Sequence, residues 1–135
     1  ALYVGQTARG WGSGHGLKTI EWTGKTSMGL QEVSLTKDGF KITFTQPAAE
    51  VKAESFTIGS WVPEYTGNYG SKRLDTKKHQ VSSVKLSADG LVAEVAVEGL
   101  AGDRLFQIDV RNVASKGGDA MRNGTAYYTL NRLRK

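Results

Sequence analysis

The chain has 135 residues, carries 18 Lys and Arg against 13 Asp and Glu for a net charge of +5, and contains no cysteine. That length suits one domain with one core, and the lack of cysteine excludes disulfides, thiolate metal sites, C-x-x-C-H haem attachment and a cysteine nucleophile. Seventeen Gly against 2 Pro favour short strands and tight turns over helices, a charge excess this small selects no polyanionic partner, and no apolar run reaches the ~20 residues of a membrane-spanning helix.

In chain order, the first 31 residues are glycine-rich and read as a strand Leu2-Tyr3-Val4, a loop from Gly5 to Gly16, and a strand Leu17 to Trp22 with Leu17 and Ile20 apolar. The start Ala1-Leu2-Tyr3-Val4 has no basic stretch before an apolar core, so the chain is expected to be a mature or excised segment. A boundary is placed near residue 31, dividing an N-terminal segment 1–31 from a main domain 32–135.

From Glu32 the apolar residues alternate, as a sheet with one buried face requires: Val33 and Leu35, then Phe40, Ile42 and Phe44. Thr36-Lys37-Asp38-Gly39 between them suits a hairpin turn whose Gly39 takes a positive φ. Pro47 to Glu54 has the formers for one or two helical turns, with Pro47 at the first position. Trp61 to His79 lacks alternation and is expected to be a long loop. The first hairpin's pattern returns at Val84-Lys85-Leu86-Ser87-Ala88-Asp89-Gly90-Leu91, continued by Ala93, Val95 and Val97, with a positive φ again expected at Gly90. Phe106, Ile108, Val110 and Val113 form the next inward face, and a last strand runs from about Thr125 through Tyr127, Tyr128 and Leu130 after Asn123-Gly124. This spacing of strands predicts an all-β, immunoglobulin-like antiparallel sandwich of about seven to nine strands with at most one short helix.

Two groups of residues resemble a known family. Leu2-Tyr3-Val4-Gly5-Gln6-Thr7, Gly10-Trp11-Gly12-Ser13, Gly16-Leu17 and Trp22-Thr23-Gly24 resemble the tail of the sugar-dehydrogenase-like β-propeller in large secreted multidomain proteins of planctomycete-type bacteria, which often also carry a haem-binding cytochrome domain. Tyr69-Gly70-Ser71, Ser87 to Leu91, and Tyr127-Tyr128-Thr129-Leu130-Asn131 resemble the sandwich that ends those chains. The resemblance implies a periplasmic or extracellular location and neighbouring modules of one parent protein as partners. It carries over no catalytic residue and no cofactor, since the chain holds neither a whole propeller nor a haem site.

Catalysis needs convergent acid, base or nucleophile groups, whereas the two histidines, His15 in a glycine loop and His79 after Lys77-Lys78, lie far apart. No catalytic or metal-binding residue is assigned. The run Gly10 to Gly16 has glycines fit for a phosphate loop but leads into a strand rather than a helix N-terminus. Asn123-Gly124-Thr125 matches the N-glycosylation pattern, yet Asn-Gly is foremost a turn.

The Trp61–His79 segment holds the ligand-binding candidates. Trp61, Tyr65 and Tyr69 can stack on sugar rings, with Glu64, Asn68 and Asp75 as hydrogen-bonding partners for hydroxyls. Lys72, Arg73, Lys77 and Lys78 would instead hold a polyanion. Against both stands a structural role, in which Trp61 plugs the end of the sandwich and the tyrosines pin the loop. Three functions follow in order: a non-catalytic accessory module that docks against a neighbour and binds glycan as a second duty, an independent carbohydrate-binding module, and a weak binder of nucleic acid or another polyanion.

Overall fold

The computed structural model describes residues 1–6, 14–67 and 70–134. Strands dominate: β1 (Leu2–Gln6), β2 (Gly16–Ile20), β3 (Leu30–Leu35), β4 (Gly39–Phe44), β5 (Phe56–Pro63), β6 (Arg73–His79), β7 (Val81–Leu86), β8 (Val92–Val97), β9 (Arg104–Val110) and β10 (Thr125–Leu130). The alternation seen in sequence sets their faces, so Phe40, Ile42 and Phe44 of β4 point inward together, as do Phe106, Ile108 and Val110 of β9.

Two antiparallel four-stranded sheets, β3-β4-β8-β7 and β10-β9-β5-β6, face each other. With β3, β4, β5, β7, β8, β9 and β10 taken as strands A to G, they read A-B-E-D and G-F-C, the constant-type immunoglobulin order, and β6 extends the C edge. The core fills the space between them. Phe40 and Phe106 meet edge-to-face across it at 5.5 Å, Tyr128 adds a second edge-to-face contact to Phe40 at 5.5 Å, and Met28, Ile58, Val95 and Leu130 complete the packing.

The segments leading into β3 and into the last strand, β10, run side by side. Gly29 pairs in parallel with Asn123, and Leu30 N–H donates to the Asn123 carbonyl and Arg122 N–H to the Met28 carbonyl, each at 3.0 Å.

Three sequence expectations need correction. The helix foreseen over Pro47–Glu54 reduces to a 3₁₀ turn at Ala53–Ser55. Ahead of it the backbone is held to other segments, Ala48 N–H donating to the Gly90 carbonyl at 2.8 Å and Ala49 N–H to the Ala114 carbonyl at 2.9 Å, so tertiary bonds override local propensity. The loop foreseen over Trp61–His79 shortens, because Trp61 lies in β5 and Arg73 to His79 form β6. Edge strand β6 escapes the alternation test since it is polar on both sides. Gly39 has no positive φ; it opens β4, where a Cβ would fall 1.8 Å from the Val95 carbonyl oxygen. Gly90 does take a positive φ, +79°.

Ahead of the sandwich, β1 and β2 form a separate antiparallel pair with Leu2 opposite Ile20 and Val4 opposite Lys18. Every residue of both strands is exposed.

Candidate functional site

Register, more than proximity in sequence, assembles the outer face of the β10-β9-β5-β6 sheet. Gly59 of β5 pairs with Gln107 of β9 on one side and Lys78 of β6 on the other, and Gln107 pairs in turn with Tyr127 of β10. Two residues further along β5, on the same face, Trp61 lies opposite Leu105. Because Gly59 has no side chain, the long Arg73 side chain can lie over this part of the sheet. Its guanidinium carbon sits 4.0 Å from the centre of the Trp61 ring, and its Nη1–H donates to Gln107 Oε1 at 3.3 Å. Gln107 Nε2–H donates to Asp109 Oδ2 at 2.8 Å, and Thr125 Oγ1–H to Asp109 Oδ1 at 2.6 Å.

Trp61 is therefore only 8% exposed although it stands outside the main core cluster: Arg73 covers one face, and the Tyr127 ring lies T-shaped to it at 6.3 Å. Tyr127 itself is 62% exposed, and Tyr65, in the loop closed by Glu64 N–H to the Lys72 carbonyl at 2.9 Å, stands fully in solvent. Lys72 and Lys78 are exposed and Glu64 is half-buried. Asn68 and Tyr69 lie outside the described residues, as do Gly10 to Ser13.

Asp75 faces elsewhere. At φ +46° beside a bulge between Ser60 and Val62, it accepts a 2.6 Å bond from Arg104 Nη1–H, its carbonyl accepts a second from Nη2–H, and Lys77 Nζ lies 3.3 Å away. The hydrogen bond from Arg104 holds the Asp75 carboxyl below the usual aspartate range against partial desolvation, with Lys77 acting in the same direction. Arg104, only 6% exposed, also donates Nε–H to Ser60 Oγ at 2.8 Å. Ser60 Oγ lies 2.7 Å from His79 Nε2, and His79 Nδ1 lies 2.9 Å from the Glu98 carbonyl. With Nδ1–H donating to that carbonyl, Nε2 accepts from the Ser60 hydroxyl. This Ser–His pair is no nucleophile, because Ser60 is fully buried and its oxygen is committed to Arg104 and His79 together. Among the described residues no group of three His, Asp or Glu side chains could hold a metal, and His15 is exposed.

Sequence reasoning brought Trp61 and Arg73 into one candidate region but missed Gln107, Tyr127 and Arg104. Tyr127 had a usable signal: with Leu130 inward, period two turns Tyr128 inward and Tyr127 outward. The same alternation turns Gln107 outward between Phe106 and Ile108, but its partners and those of Arg104 had no signal, since a pairing partner is not written in a strand's own residues.

Neither protein families nor curated proteins yield a match to the chain. Solved structures do. The N-terminal part of the bacterial S-layer protein SbsC aligns with a TM-score of 0.60 and 23% identity over 78% of this chain and 24% of that one. The S-layer protein rSbsC(31-844) aligns with a TM-score of 0.59 and 23% identity over 78% of this chain and 14% of that one. Domains 1-6 of the surface layer protein SbsC align with a TM-score of 0.60 and 22% identity over 80% of this chain and 14% of that one. The likeness is one of fold, and the chain spans a quarter or less of those chains' length.

Proposed function

We propose that the chain is a non-catalytic accessory module of a secreted, multidomain bacterial protein, working outside the cytoplasm and docking through its N-terminal hairpin against a neighbouring module. The observation that carries this reading is the exposure of β1 and β2. Their register puts Leu2, Val4 and Ile20 on one face and Tyr3 and Leu17 on the other, and these side chains are exposed, as is Trp22 just beyond. A lone two-stranded hairpin is marginally stable in water, and a pair apolar on both faces gains stability when covered on both, as inside a larger β-structure. The N-terminal segment, placed at 1–31 by sequence, would then be the end of the preceding β-propeller that it resembles but would stop short of Met28, which packs in the core of the accessory sandwich. Likeness of fold to domains of a bacterial surface layer protein supports the secreted, multidomain setting. A sugar-dehydrogenase-like or cytochrome-bearing parent rests on the sequence resemblance alone.

Amide hydrogen exchange tests the docking role. In the isolated chain the amides of Leu2–Gln6 and Gly16–Ile20 should exchange orders of magnitude faster than those of β4 and β8, and should slow when the adjoining module of the parent is supplied. Hairpin amides as slow as the core's in the isolated chain would show that the hairpin needs no partner.

A second duty, glycan binding, is favoured by the exposed Tyr127 ring standing beside a row of hydrogen-bonding side chains on one sheet face. It applies equally if the module acts on its own. Binding to nucleic acid or another polyanion is the weaker reading, because Asp75 pairs with Lys77 and the Asp109 carboxylate stands on the same sheet face as Arg73.

A further inference from the structure

Arg73 is exposed, yet its guanidinium is already immobilised, one face on the Trp61 ring and one N–H on Gln107. An arginine whose side-chain freedom is spent in the free protein loses little more on binding. Among the described residues only Gln107 accepts a hydrogen bond from it, and these leave the rest of its planar donor fork and its outer face for a ligand. The fork matches a carboxylate, which it can bond through two parallel N–H groups.

Beside it lie the two other parts of a sugar site. Tyr127, next to Gln107 in the register, offers a ring face on which the C–H side of a pyranose can stack. Gln107 and Asp109 form a row of amide and carboxylate groups able to hydrogen-bond hydroxyls, and Lys78 flanks bare Gly59 from the edge. We infer that the outer face of the β10-β9-β5-β6 sheet binds an acidic saccharide, a uronic-acid unit of a polysaccharide, with its carboxylate on Arg73 and its ring on Tyr127. This inference rests on the glycan-binding reading above and moves its centre from the Tyr65 loop to the sheet.

Charge separates this ligand from a nucleic acid. The face offers Arg73 and Lys78 as cations and places Asp109 in the same row, which suits one anionic group among hydroxyls and repels a chain carrying a phosphate at each step. Lys77 is turned to Asp75.

Calorimetric titration of the full chain with a galacto-oligosaccharide bearing one galacturonic acid unit, with its neutral counterpart of equal length, and with single-stranded DNA provides the test. The singly acidic sugar should bind at least tenfold tighter than its neutral counterpart. Binding should fall tenfold or more in Tyr127→Ala and in Arg73→Gln, and Arg73→Lys should restore little because a point charge lacks the planar fork. Tyr127 is exposed, so its variant remains informative even if Arg73→Gln loosens β6. The log–log slope of affinity against salt should stay near ~1 to 2, one or two ions released. Equal binding of the neutral sugar, lost in Tyr127→Ala, would overturn the acidic inference and leave the glycan reading standing. No binding of either sugar would overturn both, and preferential binding of DNA with a steep salt slope would replace them.

Discussion

Asp75 joins a strained backbone, an edge strand and a buried cation in one residue. It adopts a left-handed φ of +46° in β6, and it does so where its carboxylate and its carbonyl both receive the Arg104 guanidinium. Removing the carboxylate leaves a nearly buried arginine short of its counter-charge, the costly half of breaking an ion pair. The pH dependence follows in sign. A carboxyl whose proton affinity is depressed on folding stabilises the fold above the unfolded-chain value, about pH 4, and that contribution disappears as pH falls through the lower folded value. Asp89, held down by the Ser87 hydroxyl and the Leu91 N–H, works in the same window. Thermal melts between pH 2 and 7 should therefore show the parent losing stability below about pH 4. Asp75→Asn should melt lower at neutral pH and decline less steeply in acid, with Asp89 supplying the remainder; parallel acid limbs in the two proteins would take Asp75 out of this role. None of this was legible in sequence, where Asp75 looked like a ligand for hydroxyls, because its true partner stands on β9 and reaches it under β5.

At the scale of elements, the two similar hairpins show how far a local pattern can be read. Val33–Phe40 and Val84–Leu91 both announce a strand, a turn with Asp-Gly, and a returning strand, and both deliver them. The glycines nevertheless differ in purpose. Gly90 supplies a positive φ, and a Cβ there would also lie 2.8 Å from the Ala48 carbonyl oxygen. Gly39 supplies only space, since β8 passes too close for any side chain. Gly→Ala at position 39 must part β4 from β8 and should cost about 1–3 kcal/mol. At position 90 the substitution should cost about as much through backbone strain and crowding. Urea midpoints measure both; an unchanged midpoint for Gly39→Ala would mean that the strands separate there freely. Strands buried on one face declared themselves through alternation, whereas β6 and the Pro47–Ser55 crossing did not. The first is polar on both sides, and the second is organised by distant backbone partners.

For the whole molecule, the sandwich class was readable because its core strands alternate at regular spacing, while the candidate face was not, because it is composed from four strands by pairing register. The join between the lead-ins to the first and last strands of the sandwich has a further consequence. The segment leading into β3 and the segment leading into β10 run in parallel, bonded from Leu30 to Asn123 and from Arg122 to Met28. Tension applied through the two flanks of the sandwich drags these segments along their length in opposite senses. Both bonds then carry the load at once, where a peeled edge would yield them singly. The join is a mechanical clamp, and its strength is a matter of unfolding rate under force. Single-molecule stretching should show a distinct force peak, lowered in Arg122→Pro, which deletes one bond at an exposed residue, by more than the change in chemical stability accounts for. An unaltered peak would place the mechanical resistance elsewhere. In a module pulled from both flanks, such a clamp would let the domain pass tension along the chain while its core and the β10-β9-β5-β6 sheet stay folded.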